Sequence, residues 1–240
     1  MLVESKGRIE EFKKALKYPD WYIRLENQLK EDFFPVVHDD PILKARRHEL
    51  YGTIEEMLIL DQIPLAKEGP NFDKDRKPID TIVIHHTEED PDITLERLSA
   101  IGLVRQYALW YLKNDVFGHK LRGKPIWSGH FKDGKMVFFA YTWLVRANGR
   151  VERLLLDKYV GRQSANQEIN ARSIGIALSG NYEHSTPPHV QIEATANLIK
   201  TKYPKIVPSR ILGHLEVKKD RTCPGDKFLG GWKNDLLSII

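Results

Sequence analysis

The sequence predicts one α/β domain that follows a helical extension. The first observation is a β-branched run at residues 81–84 (TIVI), which is typical of a buried strand. The second is that strand-like and helix-like segments alternate after this run, which favours a single sheet with helices packed on it. The third is that the first sixty residues show only helical periodicity. We therefore place the extension and a linker at residues 1–77 and the domain at residues 78–240.

The N-terminal extension carries apolar side chains at helical spacing. Ile9, Phe12 and Leu16 mark one helix. A second helix is predicted to start at Asp40, because aspartate caps helices well and the proline that follows it fits the first turn. Residues 64–78 contain three prolines and many charges, as a linker does. Two interpretations remain open, a helical appendage packed on the main domain and a separate targeting module.

The domain itself is predicted to alternate between strands and helices. A turn at Gly149 joins two strand-like segments into a hairpin. Apolar residues at helical spacing mark the two longer helices. The predicted strands are residues 81–84, 136–145, 151–155, 174–178 and 211–212, and the predicted helices are residues 95–107 and 190–202.

Composition excludes several classes of protein. Hydrophobic residues make up 41% and charged residues 29% of the 240 residues, so we expect a folded globular protein. The net charge of +4 is too small to indicate a partner. No apolar stretch reaches the roughly 18 residues that a membrane span needs, and the N-terminus lacks the apolar core of a signal peptide. We therefore expect a cytoplasmic protein. The single cysteine, Cys223, excludes an intramolecular disulfide.

Metal-capable side chains stand at or just after the ends of predicted strands. These are the pair His85 and His86, then His214, and then Cys223. Zinc prefers imidazole nitrogen and thiolate sulfur, and a catalytic zinc site has three protein ligands and one open position. Neighbours on a strand project to opposite faces, so only one histidine of the pair can face such a site. The alternatives are a chance grouping, a buried structural cysteine, or a structural zinc site with a fourth ligand.

Four segments carry a resemblance to a known family. They are residues 81–87 (TIVIHHT), 141–153 (YTWLVRANGRVER), 173–180 (SIGIALSG) and 213–226 (GHLEVKKDRTCPGD). In this order they resemble the type-2 N-acetylmuramoyl-L-alanine amidases, which include phage-type lysozyme amidases and the peptidoglycan recognition proteins. The resemblance covers about residues 78–235 and is interrupted by residues 117–135, which look like an insertion. It implies a single mixed central β-sheet flanked by helices.

The resemblance also implies a Zn²⁺ centre and its ligands. The three ligands fall on His85, His214 and Cys223. Tyr141 and Arg221 fall on catalytic positions, where they would stabilise the negative charge that develops on the scissile carbonyl. Because arginine stays protonated at any useful pH, Arg221 cannot transfer a proton.

Three further positions have counterparts in the family pattern. His86 is interpreted as packing or as support for the ligands. Glu216 either orients His214 or forms a structural salt bridge. Many relatives have a histidine near Gln163 and Ser164, so this chain is predicted to lack a second proton-transfer group there.

These observations together predict a zinc-dependent amidase that cleaves the bond between N-acetylmuramic acid and L-alanine. The predicted partner is peptidoglycan or a soluble muropeptide, with release to the cell wall if the protein is an endolysin. The alternative is a recognition module that binds peptidoglycan without cleaving it. No nucleic-acid-binding motif is present. We expect a monomer.

Overall fold

The computed structural model describes residues 2–33, 41–87 and 100–240, which form two compact units. We call them the helical unit and the sheet unit. The helical unit contains residues 2–33, 41–72, 100–130 and 135–138, and the sheet unit contains residues 73–87, 131–134 and 139–240. Most of the predicted insertion therefore belongs to the helical unit. The predicted domain boundary between residues 77 and 78 stays a prediction.

Within its described residues, the helical unit contains five helices. Their apolar stripes form its core, with Phe12, Trp21, Leu50, Ile54 and Met57 all buried. The helix predicted near Asp40 begins at Pro41, while Asp40 itself lies outside the described residues. The helices are α1 (Leu2–Leu16), α2 (Trp21–Arg24), α3 (Glu26–Phe33), α4 (Pro41–Ile59) and α5 (Ala100–Tyr111). The N-terminal part of the helix predicted at residues 95–107 also falls outside the described residues.

The sheet unit contains a five-stranded mixed sheet. Its strands are β1 (Thr81–His86), β4 (Trp143–Val145), β5 (Val151–Arg153), β6 (Ser173–Leu178) and β7 (Ile211–Gly213). Their order is β5-β4-β6-β1-β7, and all neighbours are parallel except the β4–β5 hairpin. The mixed central sheet that the sequence predicts is thus confirmed. Two short strands, β2 (Phe131–Lys132) and β3 (Lys135–Met136), form a separate two-stranded sheet.

One predicted strand is wrong. Residues 136–145 were expected to be one strand, but β3 ends at Met136 and β4 starts at Trp143. Between them, Phe138 is completely buried without pairing in a sheet. The apolar residues of this run indicate only that the segment is buried, and burial alone does not distinguish a paired strand from a packed loop.

The two faces of the five-stranded sheet are covered differently. On one face, Ile82, Ile84, Ile174 and Ile176 pack in a cluster with apolar residues of the C-terminal helices. Those helices are α7 (His189–Lys202), the π-helical turn Phe228–Trp232 and α9 (Lys233–Ile239). The opposite face carries a smaller cluster that includes Leu144 and Ala177. Because side chains alternate along a strand, His85 points to this second face and His86 to the first.

Short helices complete the sheet unit and set up its edge. They are α6 (Gln167–Arg172), the 3₁₀ helix Pro208–Arg210 and α8 (His214–Val217). The last of these follows β7 without an intervening residue. Among the described residues, none of the helices of either unit combines the length and the apolarity that crossing a membrane requires.

Candidate metal centre

Three metal-capable side chains meet at the carboxyl ends of β1 and β7. The two strands are parallel, and Ile84 of β1 pairs with Gly213 of β7. The next residues along the chain, His85 and His214, therefore lie side by side, with ring centroids 4.7 Å apart. Cys223 joins them from the loop after α8, so that one ligand atom of each residue lies within 4.8 Å of the other two.

His85 is held in one orientation by its second nitrogen. Its side chain is buried, and Nε2 lies 2.8 Å from Oε1 of Gln163. Because an amide oxygen only accepts hydrogen bonds, this contact places the imidazole proton on Nε2. The lone pair then lies on Nδ1, which is 3.7 Å from Sγ of Cys223. Burial lowers the pKa of His85 well below its usual value, so the ring is neutral at neutral pH, as a metal ligand must be.

His214 presents a nitrogen without a partner. Its Nε2 is buried and has no hydrogen-bond partner among the described residues. Burial, and next the positive charge of Arg221, lower the pKa of His214 and keep this imidazole neutral as well. Buried polar atoms are nearly always satisfied, so an unpartnered imidazole nitrogen, in a residue grouped with a thiol and a second imidazole, fits a metal ligand.

Cys223 is fixed by its backbone. The main-chain N–H of Leu215 donates to the carbonyl oxygen of Cys223 at 2.8 Å, which ties the loop to the start of α8. Gly225, two residues later, has a φ of +113°, and a Cβ there would collide with the carbonyl oxygen of Tyr182. The thiol itself is buried and accepts the main-chain N–H of His86 at 3.5 Å.

The side chain of His86 lies on the opposite face of the sheet from His85 and forms its contacts there. Its Nδ1 accepts the main-chain N–H of Tyr182 at 2.8 Å, and its Nε2 lies 3.8 Å from the carboxylate of Glu183. Burial lowers the pKa of His86 to about 4. The side chain thus has the packing and supporting position that the sequence predicts, although only its backbone N–H reaches the metal-capable group.

The two predicted catalytic residues lie in different surroundings. Tyr141 is half-buried, and its ring centroid is 4.9 Å from that of His85. The side chain of Arg221 is 52% exposed and lies 4.0 Å from Asp220. The structure therefore brings Tyr141 to the metal-capable group, whereas Arg221 acts on it through its charge.

Glu216 forms the salt bridge rather than a contact with the ligand. Its carboxylate accepts the main-chain N–H of Gly213 at 2.7 Å and pairs with Nζ of Lys233 at 2.7 Å. It therefore holds the end of β7 to α9, and it positions His214 only through the backbone.

Gln163 is a site residue that the sequence did not predict. The sequence indicates only that Gln163 stands near a position where many relatives have a histidine. The sequence signal that could have found it is Gly175, since a glycine inside a strand often marks the close approach of another group. A Cβ at this position of β6 would collide with Oε1 of Gln163. This glycine lies within the segment SIGIALSG, which carries part of the family resemblance.

Comparisons with known proteins find a family and several relatives that this chain is similar to. Residues 75–226 match the family described as N-acetylmuramoyl-L-alanine amidase. The 1,6-anhydro-N-acetylmuramyl-L-alanine amidase AmpD of Haemophilus influenzae is 26% identical over 187 residues, which cover 72% of this chain and 90% of that protein. A peptidoglycan-recognition protein of Drosophila melanogaster is 24% identical over 174 residues, which cover 71% of this chain and 80% of that protein.

The endolysin of the Thermus scotoductus bacteriophage Ph2119 is a protein of solved structure that this chain is similar to. It is 24% identical, covers 67% of this chain and 86% of its own, and superposes with a TM-score of 0.42. The family match supports a hydrolase that acts on amide bonds of peptidoglycan. Because that match spans more than half of the sequence, the chain belongs to the N-acetylmuramoyl-L-alanine amidase family.

Proposed function

We propose that the chain is a zinc-dependent amidase that hydrolyses the bond between N-acetylmuramic acid and the L-alanine of the peptidoglycan stem peptide. The observation that carries the proposal is the group formed by His85, His214 and Cys223, whose ligand atoms lie within 4.8 Å of one another. Two imidazoles and one thiolate are a donor set that suits zinc.

The same group argues for a catalytic rather than a structural site. Structural zinc sites are closed by four protein ligands, whereas catalytic sites keep one position for water or substrate. Among the described residues, no fourth histidine, cysteine, aspartate or glutamate joins the three. The unpartnered Nε2 of His214 and the Nδ1 lone pair of His85 fit the ion as its nitrogen ligands.

His85, His214 and Cys223 would hold the zinc ion, which when bound would supply Lewis-acid chemistry by activating water and polarising the scissile carbonyl. The chain's own residues supply the rest. The hydroxyl of Tyr141, beside His85, donates a hydrogen bond to the carbonyl oxygen as negative charge develops on it. The guanidinium of Arg221 adds positive charge from the solvent side. The products are a muramic-acid carboxylate and a peptide with a free L-alanine amine.

The proposal is tested by incubating the purified chain with N-acetylmuramoyl tripeptide and identifying the products by mass. We expect release of the tripeptide, loss of turnover when a chelator removes zinc, and recovery when zinc is restored. Cys223→Ser should lose zinc and turnover and keep the circular dichroism spectrum of the fold. Thr222→Ala, one residue earlier on the exposed surface of the loop, is the matched control and should keep both.

Two results would contradict the proposal. Binding of the tripeptide substrate without cleavage, in a zinc-loaded protein, would show a recognition module instead. Turnover that survives complete removal of zinc, or that is unchanged in Cys223→Ser, would show that the three residues do not form the catalytic centre.

A further inference from the structure

Gln163 makes the contact that orients His85, and it lies outside every segment that carries the family resemblance. Its side chain is buried, reaches β6 from the loop between β5 and α6, and crosses that strand at Gly175. Any side chain at residue 175 would occupy the space of the carboxamide. The strand therefore contains a notch that the amide of Gln163 fills.

Both ends of the carboxamide are bonded. Oε1 lies 2.8 Å from Nε2 of His85, and Nε2 of Gln163 donates to Oγ of Ser173 at 3.0 Å. The serine contact keeps the amide nitrogen turned away from the histidine, so that the oxygen faces it.

The loop that carries the amide is also fixed. Oδ1 of Asn170, on α6, accepts the main-chain N–H groups of Gln163 and Ser164 at 3.3 and 3.0 Å, and the hydroxyl of Ser164 at 2.8 Å. The direction of the carboxamide is thus set by the loop, by Ser173 and by the notch together.

We propose that Gln163 is a positioning residue that selects the nitrogen through which His85 binds zinc. By holding the proton on Nε2 it leaves the Nδ1 lone pair directed at the group completed by Cys223 and His214. This inference rests on the proposed function. Outer hydrogen-bond partners of metal-binding histidines fix ring orientation and tautomer, and their loss usually costs about 10- to 100-fold in metal affinity.

The choice of an amide follows from the burial of the site. A carboxylate in the same place would bury a second negative charge beside the thiolate, with only Ser173 as a further partner. A neutral amide offers the same acceptor oxygen without that charge.

The experiment compares Gln163→Met with Gln191→Met. Gln191 is the matched control, a buried glutamine of the same unit whose amide bonds Tyr182 and the carbonyl of Val145. Zinc affinity is measured by competition with a chromophoric chelator, and Co²⁺ is used as a spectroscopic probe of ligand geometry. We expect about 10- to 100-fold weaker zinc binding and an altered Co²⁺ spectrum in Gln163→Met only. Both variants should lower the unfolding midpoint.

A second measurement needs no variant and no metal. Nitrogen chemical shifts of the His85 ring in the metal-free protein report which nitrogen carries the proton, and we expect Nε2–H. A wild-type protein that binds no zinc would contradict the proposed function. If the wild type binds zinc, an Nδ1–H tautomer, or equal zinc affinity in Gln163→Met and Gln191→Met, would overturn the role of Gln163 alone. Gln163→Glu keeps an acceptor oxygen, so the Nε2–H tautomer of His85 should persist, while the buried negative charge should lower the unfolding midpoint.

Discussion

The two faces of β1 carry neighbouring histidines in opposite situations. On the His85 face, the imidazole has one nitrogen bonded to Gln163 and the other directed at Cys223, with His214 beside it. On the His86 face, the imidazole accepts a main-chain hydrogen bond from Tyr182 and packs against the large apolar cluster of the sheet unit. One ring has a lone pair available to a metal, and the other uses its lone pair within the fold.

Neither burial nor protonation distinguishes the two residues. Both side chains are almost inaccessible, and burial lowers the pKa of both. The difference lies in what the opposite faces of the sheet present to them. Strand alternation assigns each histidine to a face, and residues distant in sequence then decide its role. Making the same change on both faces tests whether these surroundings decide the roles of the two histidines.

The largest expected difference is between His85→Ala and His86→Ala. The first change removes a ligand, so bound zinc should fall from about one per chain to nearly none, and turnover should reach background. The second removes the acceptor of the Tyr182 N–H and should lower the free energy of unfolding by about 1–3 kcal/mol while zinc is retained. Metal analysis after dialysis and denaturant unfolding measure the two effects. If His86→Ala lost zinc while its fold stayed intact, the two histidines would not differ in their roles as proposed.

The second pair is Tyr141→Phe and Tyr182→Phe. The hydroxyl of Tyr141 is proposed to stabilise developing charge, so its removal should lower kcat by about 100- to 1,000-fold without loss of zinc. The hydroxyl of Tyr182 contacts Ser179 and Gln191 inside the core, so its removal should cost stability and leave kcat within about twofold. Steady-state kinetics on zinc-loaded variants separate the two outcomes. A similar kcat for both variants would contradict the proposal that Tyr141 stabilises the developing negative charge.

The sequence predicted the parts of this site that depend on local pattern. His85, His214 and Cys223 each stand beside recognisable strand or loop motifs, and the parallel pairing of β1 and β7 brings the two histidines together. The mixed sheet was implied by the family resemblance that the same segments carry. The fold could therefore be predicted wherever a segment's own periodicity decides its structure.

What the sequence did not predict depends on contacts between distant segments. The role of Gln163 requires the absence of a side chain at Gly175, twelve residues later on another element. The salt bridge of Glu216 depends on where Lys233 lies after α9 packs. The interruption near Phe138 depends on burial in a loop. None of these relations is periodic, so no spacing rule reveals them.

A smaller effect is expected from Gly175→Ala, which tests the notch on the His85 face. The added Cβ would displace the carboxamide of Gln163, so zinc affinity should fall by about 10- to 100-fold while the sheet still forms. Gly230→Ala is the matched control, because nothing lies within 4 Å of a Cβ at that position. Chelator competition measures both variants. Equal affinities would show that the amide tolerates displacement and that the notch does not matter.

The smallest effect is expected at Arg221, because its charge reaches the His85 face from solvent. A side chain that is 52% exposed is screened by water and salt, so Arg221→Ala should lower kcat/KM by only about two- to fivefold. The loss should shrink further at high ionic strength, and Arg221→Lys should restore activity, since charge alone is needed. Kinetics at two salt concentrations measure this. A loss of kcat/KM above about 100-fold that lysine does not rescue would mean that the guanidinium contacts the substrate directly. The exposed Arg221 would then contribute as much to catalysis as Tyr141.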